Sequence, residues 1–331
     1  MKGLRIAAAR IGLPAWFIAI DLLWIAKPDV LGIDARHYQR AASAWLAGGD
    51  PWMVTEGGVG FAPGPHTLLF YAPTSFLPLW LSGVVWMGIG LGASIWLVRR
   101  LQVPLWWLLF PPLVHAIWNG NPQTVVIALL LAGGTLPAVL AVGLKLYAGI
   151  ALLLRPRDLI ITGVVLAASL LILPWELYLR DAGIIAGYLN GAWDGSAWRL
   201  PILIPPTLLG LWVLRRRGAE WLAVPAIWPA TQFYYAAMAL PALVGEPRED
   251  GRSVTGRPVV AAALALPAPL IAPLVVMALA ARMIWSARHG DRGSGSGTSA
   301  PSSRIRKASA SISAWMGGTA HGTRSSVSGE P

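Results

Sequence analysis

The sequence predicts an all-α polytopic membrane protein. Three observations predict it. Hydrophobic residues make up 56% of the chain and charged residues 12%, about half the charged content of a soluble domain. The apolar residues gather in runs of span length, and the mean hydropathy is +0.59. The net charge of +11 comes largely from short basic clusters between those runs, the distribution found in cytoplasmic loops.

The same figures exclude other classes. A chain of 331 residues this apolar cannot hide its side chains in one water-soluble core, since such cores stop growing near about 250–300 residues. With no cysteine there is neither a disulfide framework nor a thiolate metal site. No Walker A loop and no G-x-G-x-x-G stretch is present. The basic clusters follow the membrane pattern, so no nucleic-acid partner is expected. No paired histidine spacing appears, and neither a metal nor a cofactor is expected.

Lys2, Arg5 and Arg10 precede an apolar run from Ile11 to Ala26. No small-residue cleavage site follows it, so this reads as a first span with a cytoplasmic N-terminus. The polar stretch 27–65 reads as an external loop. Within it Ala35–Ala47 read as a short helix, with Asp34 as N-cap and Gly48-Gly49 as stop. Tyr38, Ala42 and Trp45 share one face, which suits a helix lying in the membrane interface. A second span covers about 80–98 and ends at Arg99-Arg100, a third about 101–118, and a fourth starts at Pro122 after the Asn119–Gln123 turn. The run from Pro137 to Leu154 is long enough for one span, but the charge pattern wants both its ends inside. A broken pair with Lys145 near its outer turn reconciles the two. Further spans are expected at about 159–179 and at Leu200–Leu214, with an external loop 180–199 between them. The segment 219–244 is interrupted at Trp228-Pro229, and 258–285 reads as one long last span. The tail 286–331 has 12 Ser and 8 Gly among 46 residues and a net charge of +4; it reads as disordered.

Four polar features stand out in this apolar chain. Asp34 reads either as an N-cap carboxylate or as a general base held ionised by a helix N-terminus. Lys145 either snorkels to the interface or binds a lipid phosphate as a point charge. Asp21 is a functional acid or a helix–helix hydrogen-bond partner. His115, Asn119, Asn121 and Gln123 suit turn chemistry.

The order of residues resembles glycosyltransferase family 87. Asp34-x-x-x-Tyr38, Ala41-Ala42 and Gly48-Gly49-Asp50-Pro51-Trp52 are similar to that family's opening. Pro73 and Leu77-Pro78 resemble its return into the membrane, and Asn119-Gly120-Asn121-Pro122-Gln123 its Gly-Gln turn. Gly143-Leu144-Lys145 resembles its span with an embedded lysine, and Trp228-Pro229 through Tyr234-Tyr235 and Ala239-Leu240-Pro241 its late outer turn. The resemblance covers roughly 20–245 in order, with Gly-Gln interrupted by Asn121-Pro122.

The resemblance implies a GT-C-like bundle of about 8–11 spans over residues 1–285, in the cell membrane, with the tail beyond it. It implies transfer of a hexose, mannose or a related sugar, from a polyprenyl-phosphate donor to a lipid or glycan acceptor on the external face, with inversion. Asp34 is then the base. Lys145, Arg36 and His37 face the donor phosphate, and Tyr38, Asp50, Gln123 and Tyr234 lie nearby. A lipid-linked-sugar flippase or secondary transporter, relying on Asp21, is the alternative; an inactive relative with a scaffold role is a third.

Overall fold

The computed structural model describes residues 2–26, 30–56, 59–191, 194–215, 218–244 and 258–290. It is helical throughout apart from one antiparallel pair of two-residue strands, β1 (Thr55–Glu56) and β2 (Val59–Gly60). The chain divides into a unit of residues 1–282, which holds the candidate site, and a second of 283–331.

Helix α1 (Lys2–Ile25) turns Leu13, Phe17, Ile20 and Asp21 inward. Phe17 packs among Trp106, Trp107 and Phe110. The expected loop helix is α2 (Ile33–Leu46). It ends as its glycines predict: Gly48, at φ +76°, donates to the Trp45 carbonyl and Gly49 to that of Ala44, the Schellman ending. Its start differs from expectation. Gly32, at φ +65°, precedes the helix, and no side chain caps it. Asp34 stands in the first turn instead. The amides of Gly32 and Asp34 donate to the carbonyls of Trp118 and Asn119, at 2.7 and 3.0 Å. A distant turn supplies the acceptors that an N-cap side chain supplies elsewhere. Gln39, expected away from the packed face, is buried and donates to the carbonyls of Thr74 and Leu77.

After the short α3 (His66–Tyr71), α4 (Leu79–Arg100) is one uninterrupted helix. Its inward stripe is built on small residues, Ser82, Gly83, Gly90 and Ser94, which lets neighbours approach closely. Gly32 lies against Gly83, and Thr124 donates to the Gly90 carbonyl at 3.1 Å.

Three expected spans are broken at prolines. The expected 101–118 span is a 3₁₀ turn at Leu105–Leu109 followed by α5 (Pro111–Trp118), because Pro104, Pro111 and Pro112 cannot donate to a continuing helix. Next come α6 (Gln123–Ala132) and α7 (Thr135–Leu144), joined by Gly133 and Gly134, both at positive φ. At Lys145 the backbone leaves the helix, at φ −150° and ψ 113°, before α8 (Ala148–Ala151). The break at Lys145 is the one expected; a single span from 137 to 154 is not formed. The expected 159–179 span ends early, at α9 (Pro156–Ser169), and a corner before Pro174 leads to α10 (Trp175–Arg180). The segment read as an open loop carries α11 (Ala182–Gly191).

Helix α12 (Ile204–Val213) and α13 (Ala219–Ile227) precede the expected interruption at Trp228-Pro229. A 3₁₀ turn at Phe233–Ala239 follows, then α14 (Leu240–Val244). The last run is not one helix. Pro267 and Pro269 separate α15 (Pro258–Leu264) from α16 (Ile271–Gly290), and the Leu270 amide instead donates to the Gly195 carbonyl. Helix α16 runs past the expected tail boundary at 285; the rest of the tail, 291–331, lies outside the described residues, as do Arg248, Arg252 and Arg257.

Two helices among the described residues are long and apolar enough to cross a membrane, Leu79–Arg100 and Ile271–Arg288. Arg155 and Asp158, at the start of α9, hold the α6–α7 corner. Arg155 donates to the Leu130 carbonyl at 3.0 Å, and Asp158 accepts from the Thr135 hydroxyl at 2.9 Å. The other ends of α6 and α7, at Gln123 and Lys145, meet the start of α2.

Candidate functional site

A polar network lies where those ends meet. Its first member follows from the way α2 starts. Because backbone carbonyls take the first amides of the helix, the Asp34 carboxylate is not spent on capping, and it is half-buried. Asn121 donates from Nδ2 to Asp34 Oδ2 at 2.7 Å. The Asn121 carbonyl oxygen accepts the Gln123 amide at 3.0 Å, which starts α6.

Lys145 is brought in by the break after α7. Thr67, in α3, donates to the Leu144 carbonyl at 3.2 Å, and the Phe70 ring lies against Gly143. The Lys145 ammonium donates to the Tyr38 hydroxyl and sits 4.7 Å from the centre of that ring. The lysine side chain is buried, with 6% of the residue exposed. The buried Tyr38 hydroxyl is pushed well above the usual phenol range, first by burial, then by the Asp34 charge and by Tyr71 and Tyr235; a hydrogen bond from Asn121 pulls the other way. It therefore stays protonated.

Gln123 is fully buried, and the Tyr147 hydroxyl donates to its Oε1. Tyr147 meets Tyr235 edge-on at 4.6 Å and Trp228 at 5.9 Å. Tyr234 lies beside Tyr235 and packs on His115, whose ring bonds Asn119. The charge of Asp34 acts on Lys145, Tyr147, Tyr234 and Tyr235. Asp34, Tyr38, Gln123, Lys145 and Tyr234, named from the sequence, thus belong to one cluster.

The other named residues make different hydrogen bonds, although the His37 ring lies 6.4 Å from that of Tyr38. Arg36 donates to the Leu31 carbonyl. The buried His37 lies 3.3 Å from the Val54 carbonyl and packs on Phe61. Asp50 accepts the Trp52 amide and pairs with Arg180, which also holds Asp181 at 2.9 Å. Asp50 is raised, by burial and then by the hydrogen-bonded Asp181 beside it, while the Arg180 hydrogen bonds draw Asp181 down. Asp50 ties the first loop to α10; it does not face Lys145.

Asn121 and Tyr147 are the members that sequence reasoning missed as site residues. Asn121 was legible as a turn residue, and Tyr147 follows Lys145 by two positions in an apolar run. Asp21 is buried inside α1, and neither carboxylate oxygen has a partner among the described residues. No group of three or more metal-ligating side chains occurs among them. A separate crevice, lined by Gly195, Thr231, Gln232, Phe233, Leu264 and Ile271 among others, contains none of the residues named from the sequence. No protein-family model, curated protein or solved structure matches the chain.

Proposed function

We propose that the chain is a multi-pass glycosyltransferase of the cell membrane, of the family 87 kind. It moves a hexose, mannose in the first instance, from a polyprenyl phosphate to a lipid or glycan acceptor on the external face, and needs no cofactor for this step. The observation that carries the reading is the convergence of Asp34, Asn121, Tyr38 and Lys145, with the bonded pairs 87 and 107 residues apart, in a chain with so few charged residues.

The outer surface supports a lipid setting. Ile11 and Leu22 on α1, Trp80 on α4, Ile160 on α9 and Trp212 on α12 are each more than 60% exposed, while the polar network is turned inward. So many large apolar side chains left exposed on the helices fit contact with lipid. Helices α6 and α7, ten residues each, reach about 15 Å, half the hydrocarbon thickness. On this reading the network faces the outer leaflet, from which a lipid-borne phosphate enters.

The chemistry needs a base and a counter-charge. Asp34, through Oδ1, takes the proton of the acceptor hydroxyl as that oxygen attacks the anomeric carbon. The bond from that carbon to the phosphate oxygen breaks, and the electron pair leaves with the phosphate. One displacement inverts the sugar. The Lys145 ammonium stabilises the departing charge in a site shielded from water. Lys145 is the cation within the network, so the phosphate role is assigned to it first.

Transfer from a labelled polyprenyl-phosphate sugar by wild type and Asp34→Asn tests the reading. Loss of about two orders of magnitude or more is expected for a missing base; full activity in the variant overturns it. The buried, unpartnered Asp21 favours a second reading, a carrier for lipid-linked sugars. Vesicles containing the protein separate the two: a new glycoside marks a transferase, and Asp21-dependent movement without bond cleavage marks a carrier.

A further inference from the structure

We infer that Asn121 is a positioning residue for the Asp34 carboxylate: it binds Oδ2 and leaves Oδ1 as the atom that receives the proton. The inference rests on the transferase reading for its activity arm, and on geometry alone for its stability arm.

The amide of Asn121 has only one usable orientation. Its oxygen is held by the Gln123 backbone N–H at 3.0 Å, a donor that only the oxygen can accept. The NH₂ group must then face Asp34, 2.7 Å away. The asparagine itself is held by its own backbone, since its amide donates to the Ala116 carbonyl at 2.9 Å, and it is 1% exposed. Asp34 is held in turn, since its amide donates to the Asn119 carbonyl two residues before Asn121. The first turn of α2, which carries the base, and the 119–121 turn, which carries the positioning residue, are therefore locked together by a backbone and a side-chain hydrogen bond. A carboxylate anchored through one oxygen presents the other in a fixed orientation, which raises the fraction of reactive geometries.

The test is Asn121→Asp, which keeps a good helix cap for α6 and is nearly the same size, but replaces the donor with a second carboxylate. Two carboxylates at this distance share one proton across neutral pH. The charged and titratable groups around the pair are Tyr38, Tyr71, Lys145, Tyr147, Tyr234 and Tyr235, and all are unchanged in the variant. The expected result is a fall in transfer of about tenfold or more at pH 7, regained at higher pH, with the profile moved up by roughly one to two pH units. A role confined to the turn lowers the rate without moving the profile, and that outcome overturns the inference.

The exchanged pair, Asp34→Asn with Asn121→Asp, restores one donor and one acceptor with reversed direction. Its thermal midpoint in detergent at pH 7 is expected to recover most of what Asn121→Asp loses, while transfer stays absent. A midpoint no higher than that of the single variant overturns the hydrogen bond itself. Because this arm needs no substrate, absence of transfer in the wild type counts against the proposed function and leaves the pairing of the two residues separately decided.

Discussion

The ammonium of Lys145 donates to the hydroxyl of Tyr38, a residue 107 positions earlier in the chain. The lysine is 6% exposed and reaches this partner only because the helix stops at Leu144. A buried cation is costly to hold, and replacing one with an apolar group of similar length is often neutral or stabilising. Lys145→Met is therefore expected to keep or raise the thermal midpoint, and to cut sugar transfer by about a hundredfold or more, as for other lost electrostatic stabilisers. Wild-type turnover in this variant removes Lys145 from the reaction.

The seat of Asp34 is tested by glycine replacement. A Cβ on Gly120, at φ +65°, falls 2.8 Å from the Cβ of Ala35. A Cβ on Gly48, at φ +76°, meets nothing within 4 Å. Gly48→Ala pays the left-handed backbone cost alone, about 1 kcal/mol, and should retain transfer. Gly120→Ala adds a clash between α2 and the turn, for a total of about 2–4 kcal/mol, and should lose both midpoint and transfer. Equal midpoints for the two variants contradict the close approach.

His66 gives a pH prediction. Burial lowers it from 6.5 to about 4, against a smaller upward pull from the Gly143 backbone. The folded state thus holds His66 neutral where the unfolded chain already binds a proton. Its contribution is complete above pH 6.5 and is lost as pH falls toward 4, by up to roughly 3 kcal/mol. His66→Phe keeps a ring against Trp175, 5.8 Å away in the native pair, and removes the proton site. The variant should lose less stability than wild type between pH 6.5 and 4.5, read as thermal midpoint against pH. Parallel curves exclude His66 as the cause of acid sensitivity.

Much of this arrangement was legible in the sequence, for identifiable reasons. Arg99-Arg100 marks the end of α4, and Gly48-Gly49 that of α2, because charge and positive φ are local signals. Asp34, Lys145 and Gln123 stand out as polar residues beside apolar runs. The proline breaks at 104–112 and 267–269 were hidden because hydropathy averages across a proline that interrupts hydrogen bonding without changing apolarity. The pairing of Asp50 with Arg180, 130 residues away, is a tertiary event with no periodic trace. Asn121 was hidden for a different reason: an asparagine before a proline is already explained by the turn it makes, and only its partner reveals a second use.

The first amides of α2 find their acceptors at Trp118 and Asn119, which a ribosome adds some eighty residues afterwards. Three helices, α3, α4 and α5, are made in between, and the amine that joins the network follows later still. The polar network is thus assembled from segments made far apart in time, and its side-chain pairs cannot all form before the turn at 119–121 and the break at Lys145 have both been added.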